Sequence, residues 1–293
     1  MRRVFRSDPR DAVIMFESNV SAILALGEGS SEPRMLCVQY HHKGVRPVWQ
    51  WRAIYDLALT RFSTVMFTSD FIRREAEAIY PPLTAITTTI PAPMEVPPLP
   101  SEGDRRSARE RLGLPQNARV IGNAGWLIPR KRFDTFLRVG ARVAARVPAV
   151  ALVIAGDGPE RTRLEELASD LGLDHRVRWI GWQADLNDFY RAIDVLLFNS
   201  DWDAFPTTPL EAMSYAVPVV ASLIKGGLGE VISTPQYGFL LPRHDVVALA
   251  EEVIRVLRAP EPAMSAREHI AQMLRTETCI SRILERLGCI SPV

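Results

Sequence analysis

Residues Asp201 to Ser222 read Asp-Trp-Asp-Ala-Phe-Pro-Thr-Thr-Pro-Leu-Glu-Ala-Met-Ser-Tyr-Ala-Val-Pro-Val-Val-Ala-Ser. An apolar run from Asp194 to Phe198 precedes them and reads as a buried strand. Thr208-Pro209-Leu210-Glu211 then opens a helix. Thr208 suits the N-cap, Pro209 has no N–H to leave unpaired in the first turn, and Glu211 completes a capping box. Pro218 ends that helix and Val219-Val220-Ala221 starts another strand. The stretch is therefore strand, loop, helix, strand, with a helix N-terminus facing the loop. Such an end carries unpaired N–H groups and partial positive charge, which suits a phosphate. Asp203 and Glu211 flank it, eight positions apart.

Working outward, the same alternation continues in both directions. Upstream, strand Arg119–Gly122 leads into Gly125-Trp126-Leu127-Ile128-Pro129-Arg130-Lys131-Arg132, and a helix with apolar residues at helical spacing follows. Strand Ala151–Ala155 ends in Gly156-Asp157-Gly158-Pro159, and strand Val177–Ile180 ends at Gly181-Trp182. Gly-x-Gly-x-x-Gly is absent, so Gly156 belongs to a turn and not to a dinucleotide fingerprint. Downstream, Gly226-Gly227 open a turn, strand Phe239–Leu241 precedes Pro242, and Val246–Leu257 has a helical apolar face. Residues 1–90 show a shorter βα alternation: strand Ala12–Phe16, strand 35–40 ending at His41-His42, helix 48–62, strand Thr64–Thr68 and a helix capped by Ser69-Asp70. Alternating strands and helices imply parallel sheets covered by helices. Between the two halves, residues 81–101 hold seven prolines and read as a linker without helix or central strand.

Bulk properties narrow the class. The 293 residues are 47% hydrophobic and 24% charged, enough for two domains. The net charge of +1 points away from nucleic acid as a partner. No apolar run reaches the roughly 18 residues of a membrane span, and the Arg-rich start has no signal core. Cys37, Cys279 and Cys289 are scattered. They imply a reducing compartment and no structural zinc.

The stretch at 203–221 resembles the donor-site signature of retaining GT-B glycosyltransferases, in particular glycosyltransferase family four (group 1). That signature is a Glu, seven residues, a second Glu, Ala-Met and a Pro-Val-Val-Ala strand. Here Asp203 stands for the first Glu, while Glu211-Ala212-Met213 and Pro218-Val219-Val220-Ala221 fit. The resemblance implies an α/β, GT-B-like fold of two Rossmann-type doubly wound domains, the first incomplete. Residues 1–90 would be a partial acceptor-side domain, 91–104 a Pro-rich linker, and 105–260 the nucleotide-sugar donor domain. Residues 261–293 would be helices packing back toward the first domain. The first domain lacks the family's opening strand and glycine-rich loop, which implies a gene-start error or a truncated relative.

It further implies a hexosyltransferase of glycan biosynthesis. The reaction would move a sugar from a UDP- or GDP-linked donor to a hydroxyl acceptor, with retention and without metal or cofactor. The acceptor would be a glycan, a lipid-linked glycan or a small molecule. The enzyme would be cytoplasmic, at the inner face of the membrane through peripheral contact. The catalytic set implied is His41, Asp203 and Glu211. Gly125, Arg130, Lys131, Gly156, Phe205, Pro206, Thr207, Thr208 and Glu211 would hold the donor, with Glu17 and His41 on the acceptor side. In the family an Arg after the loop glycine and a later Lys hold the diphosphate. Lys131 matches the Lys, Trp126 stands where the Arg is expected, and Arg130 or Arg132 would supply the missing charge. Fixed cations there stabilise the leaving phosphate as its charge develops.

Each residue also has a plainer reading: Glu211 a helix cap, Lys131 a solvated basic turn, Asp203 a turn acid, His41 an ordinary core or surface histidine. Two further function classes stay open. One is a catalytically weak nucleotide-sugar-binding subunit that needs a partner. The other is a metal-dependent transferase using Asp201-Trp202-Asp203 as Asp-x-Asp, since two oxygen ligands after a strand could hold a divalent cation.

Overall fold

The computed structural model describes residues 12–16, 23, 24, 26, 33–39, 42, 45–259, 261 and 263–291. The chain divides into two compact units, residues 1–95 with 273–293, and residues 96–272.

The first unit is built on a four-stranded sheet in the order β1-β2-β3-β4 (Val13–Met15, Arg34–Val38, Thr64–Phe67, Thr87–Thr89), with all pairs parallel. β2 and β3 are buried along their whole length, as continuous apolar strands covered on both faces should be. Helix Val48–Arg61 buries Trp51, Ile54, Tyr55 and Ala58. Helix Asp70–Ile79 starts at Ser69, whose side chain accepts from Ile72 N. The fourth strand corrects the reading of 81–101 as a linker. Pro81 and Pro82 sit in the first turn of the 3₁₀ helix Pro81–Ile86, where no N–H is needed. Beyond them the proline-free, β-branched run Thr87-Thr88-Thr89 adds to the sheet at its edge. The C-terminal helix Thr276–Arg286 belongs to this unit. It buries Cys279 in a cluster with Met35, Cys37, Met66, Ile90 and Leu287.

The second unit carries a six-stranded parallel sheet in the order β12-β10-β8-β5-β6-β7. The strands are β5 (Arg119–Ala124), β6 (Val150–Ala155), β7 (Val177–Gly181), β8 (Val195–Phe198), β10 (Val219–Ser222) and β12 (Phe239–Leu241). The chain lays β5, β6 and β7 in one direction, then returns to the other side of β5 to lay β8, β10 and β12. This Rossmann-like order reverses between β5 and β8, and ligands of open parallel sheets bind outside the strand C-termini at such a reversal. Helices Phe133–Ala144 and Val246–Arg258 present Phe136, Leu137, Val143, Val253, Ile254 and Leu257 to the core. Helix Met264–Met273 also lies in this unit: Ala263 N, just before it, donates to Ala216 O.

Buried Asp194, at the start of β8, ties the entry helix to the sheet. Its carboxylate accepts from Arg109 Nη2 (2.8 Å), Val120 N (2.6 Å) and Arg105. Helix Glu102–Arg111 carries both arginines and opens with a complete Ser101–Asp104 capping box. Among the described residues no helix is long and apolar enough to cross a membrane.

Candidate functional site

The strand C-termini of the second unit converge on a cavity of about 640 Å³, a size suited to a small-molecule ligand. Ala124 and Gly125 after β5, Ala155 to Gly158 after β6, and Trp182, Gln183 and Leu186 after β7 line it. Glycine is required in its floor. At Gly156 φ is +131°, and a Cβ would stand 1.9 Å from Gly125 O, so no larger residue lets the two turns approach. The turns are pinned by Gly125 N to Ala155 O (2.9 Å), Leu127 N to Asp157 O (2.9 Å) and Gly156 N to Gly181 O (2.7 Å). On this fixed backbone Trp126 and Trp182 are 63% and 75% exposed, two large aromatic faces left unpacked beside the cavity. A second cavity of about 790 Å³ lies at the opposite ends of β5, β6 and β7, lined by Leu114, Pro148 and Arg176 among others. None of the candidate residues reaches it.

The cationic loop after β5 meets the acidic stretch after β8. A Cβ built on Gly125 would lie 3.9 Å from Lys131 Cε, so the lysine passes over the cavity's edge. Lys131 Nζ donates to Asp203 Oδ2 at 2.6 Å, with Arg130 Nη1 3.5 Å from the same oxygen. Arg130 stacks over Trp202 (4.3 Å) and donates to Trp202 O (2.6 Å). Asp203 is further held in the two-residue strand β9 (Trp202–Asp203), paired in parallel with β11 (Lys225–Gly226). Arg132 makes two 2.9 Å bonds to Asp134 in the first turn of the following helix.

The capping reading of 208–211 is corrected. The helix runs Thr207–Ser214 with Pro206 at its N-cap and no side-chain cap. Starting two residues earlier puts Glu211 a full turn in, beyond capping reach. Thr208 Oγ1 donates instead to Ala124 O (3.4 Å), which seats the helix start at the end of β5. Glu211 Oε2 accepts from Tyr190 OH at 2.6 Å. Burial, with the Glu211 charge beside it, raises the Tyr190 pKa well above its ordinary value, so the phenol keeps its proton to donate. Tyr215 stacks on Tyr190 at 5.4 Å. Phe205 is half-buried, Pro206 buried and Thr207 exposed.

Thus Gly125, Arg130, Lys131, Gly156, Asp203, Thr208 and Glu211 gather at one end of one sheet. Glu17 and His41 lie outside the described residues. In the first unit the neighbouring His42 is buried. Its Nδ1 and its backbone N both meet Glu75 Oε2 (2.9 and 3.0 Å), and its Nε2 meets Tyr55 OH. Tyr190, Trp182, His42 and His244 escaped the sequence reading because each is a single residue on an element whose neighbours only the fold supplies. Asp201 and Asp203 do not share a ligand position. Asp203 faces Lys131, while Asp201 Oδ1 lies 3.1 Å from His244 Nε2 and 3.5 Å from Arg132 Nη1. Among the described residues no three Asp, Glu, His or Cys side chains gather as a metal site.

Comparisons with known proteins bear on the family and the fold. The chain is 35% identical over 182 residues to D-inositol 3-phosphate glycosyltransferase of Saccharomonospora viridis, covering 57% of this chain and 42% of that protein. It is 37% identical over 118 residues to the lipopolysaccharide core biosynthesis glycosyltransferase LpsE of Rhizobium meliloti, covering 40% and 34%. It therefore spans well under half the length of these relatives. Among solved structures, Anabaena Alr3699/HepE in complex with UDP superposes with a TM-score of 0.84 at 22% identity, over 96% of this chain and 79% of that one. A glycosyltransferase from Rickettsia africae superposes with a TM-score of 0.79 at 17% identity, over 97% and 78%. At such identities the superpositions speak for the GT-B-like fold alone. Residues 104–273, more than half of the chain, match the family described as Glycosyl transferases group 1, and the chain belongs to that family.

Proposed function

We propose that the second unit binds a nucleotide-diphosphate sugar and that the protein transfers its hexose to a hydroxyl acceptor, with retention of configuration and without a metal. The observation that carries this reading is the joining, at the C-terminal ends of β5, β6 and β8, of a ligand-sized cavity to a lysine and two carboxylates. The aromatic faces of Trp126 and Trp182 suit a planar base. The Lys131 ammonium suits phosphate, since a point cation there offsets charge on the leaving diphosphate. Glu211, braced by Tyr190, can accept from two adjacent ribose hydroxyls. Asp203 would face hydroxyls of the transferred sugar once phosphate takes Lys131 from it. Both acids of the Asp-x-Asp are engaged with cationic or imidazole side chains, which favours the metal-free route over the metal-dependent one. The acceptor group is assigned to the first unit.

A thermal-shift screen with UDP, GDP, ADP and their sugar conjugates, with and without magnesium, tests this. A ligand at 100 times its Kd adds about 2.7 kcal/mol of stability, a readily measured shift. One nucleotide giving that shift regardless of magnesium is the expected result. No shift with any of them would refute the donor assignment, and a shift that needs magnesium would refute the metal-free one.

A further inference from the structure

Among the described residues three non-glycine positions have left-handed backbone: Arg132 (φ 51°), Ala216 (φ 57°) and His244 (φ 65°). Such conformations are costly for residues with a Cβ and persist where surrounding contacts over-determine them. Two of the three touch each other. Arg132 Nη1 lies 3.3 Å from His244 Nδ1 and 3.2 Å from Nε2, and both side chains converge on Asp201 Oδ1. The elements they join are far apart in sequence: the loop after β5, the stretch after β8 and the turn after β12. Arg132 directly follows Lys131, and Asp201 lies two residues before Asp203. The backbone repeats the link, because Asp201 N donates to Arg130 O at 2.8 Å.

We propose that His244, with Asp201 and Arg132, is a positioning residue for nucleotide-sugar binding: a clamp that fixes the Lys131 loop against the strand bearing Asp203. The proposal rests on the donor reading above and adds residues to which that reading assigns nothing. The chemistry selects a neutral imidazole. A carboxylate only accepts and a guanidinium only donates, so Nε2–H faces Asp201 and bare Nδ1 faces Arg132. One tautomer satisfies both neighbours. Protonating Nδ1 removes the acceptor and sets a second cation against Arg132. The charged groups around the ring are Arg132 from the first loop, Asp134 from the first turn of the helix after it, Asp201 from the second loop, and Arg243 beside it. Burial first and Arg132 second hold the imidazole below its ordinary value against the pull of Asp201. The group is thus depressed in the folded protein. The clamp is fully intact above about pH 6.5, the unfolded value, and opens as pH falls through the lower folded value.

The test is titration of UDP and GDP into the parent chain and into His244→Gly, His244→Asn, Asp201→Asn and Lys131→Ala. Glycine accepts the left-handed backbone, so His244→Gly should melt no lower than the parent yet bind nucleotide about tenfold more weakly, a change of about 1.4 kcal/mol. Asparagine tolerates the same backbone and keeps one donor and one acceptor, so His244→Asn should restore most of the affinity. The parent's affinity should fall as pH drops through the depressed folded value of His244, and that of His244→Asn should not. Parent-like affinity in both His244→Gly and Asp201→Asn, with loss in Lys131→Ala, would overturn the clamp and leave the donor reading standing. Unchanged affinity in Lys131→Ala, or no binding by the parent, would overturn the donor reading and the clamp with it.

Discussion

Replacing Glu211 by Gln removes a charge at a position whose local role is now defined. The helix starts at Thr207 with Pro206 as its N-cap, so the ~1 kcal/mol expected for a lost cap does not apply. What changes is the 2.6 Å bond from Tyr190 OH. A bond to a charged acceptor contributes about 1.5–3 kcal/mol and a neutral one about 0.5–1.5, so the substitution costs about 1 kcal/mol. For a unit of this size that lowers Tm by about 2–4 °C. The effect on ligand should be larger. If the carboxylate accepts from two ribose hydroxyls, the same difference on each bond forfeits about 2 kcal/mol of binding, about 30-fold in Kd. Calorimetric titration of the nucleotide picked out by thermal shift measures this beside a melting curve. A Gln variant that loses 2–4 °C but binds nucleotide like the parent would refute the ligand role and leave Glu211 as a brace for Tyr190.

Three further outcomes follow from the same structure. Asp194→Ala leaves the buried Arg109 guanidinium without its counter-ion and should destabilise the second unit by about 3–5 kcal/mol in denaturant melts; less than 1 kcal/mol would show that water replaces the carboxylate. Gly156→Ala forces a Cβ to 1.9 Å from Gly125 O at φ +131°, so it should cost about 1–3 kcal/mol in strain and abolish nucleotide-induced stabilisation; a variant that keeps both would mean the floor can part. Burial pushes the Cys37 thiol up to about 12 and raises the Tyr55 and Tyr190 pKa values, so their contribution is complete below the unfolded values near 9 and 10 and is lost as pH rises. Stability should fall by about 1.4 kcal/mol per pH unit for each such group, which melts at pH 8 and pH 11 would measure; equal stability at the two would refute those shifts.

Much of the second unit was legible in the chain. β6, β8 and β10 are short apolar runs bounded by Gly, Pro or acids, and their period and punctuation suffice to place them. Helix Val246–Arg258 buries Ala250, Val253, Ile254 and Leu257, the face its spacing predicts. β4 was hidden because proline density was averaged over a span in which residues 83–90, where the strand lies, hold none. The start of helix Thr207–Ser214 was misplaced because Thr-x-x-Glu fits a capping box by composition, while the helix begins where Thr208 finds Ala124 O.

The sequence alone determined the alternation of parallel strands and helices, and it supplied the candidate residues near 125–131 and 203–211. Periodicity and turn residues are local signals, and local signals suffice for these. Only the tertiary structure decided the partners. Lys131 faces Asp203 across 72 positions, Tyr190 braces Glu211, and His244 reaches Arg132 and Asp201 from the turn after the edge strand β12. Those pairings depend on strand order, because β5 and β8 become neighbours only when the chain crosses back over the sheet. No short-range pattern encodes that crossing.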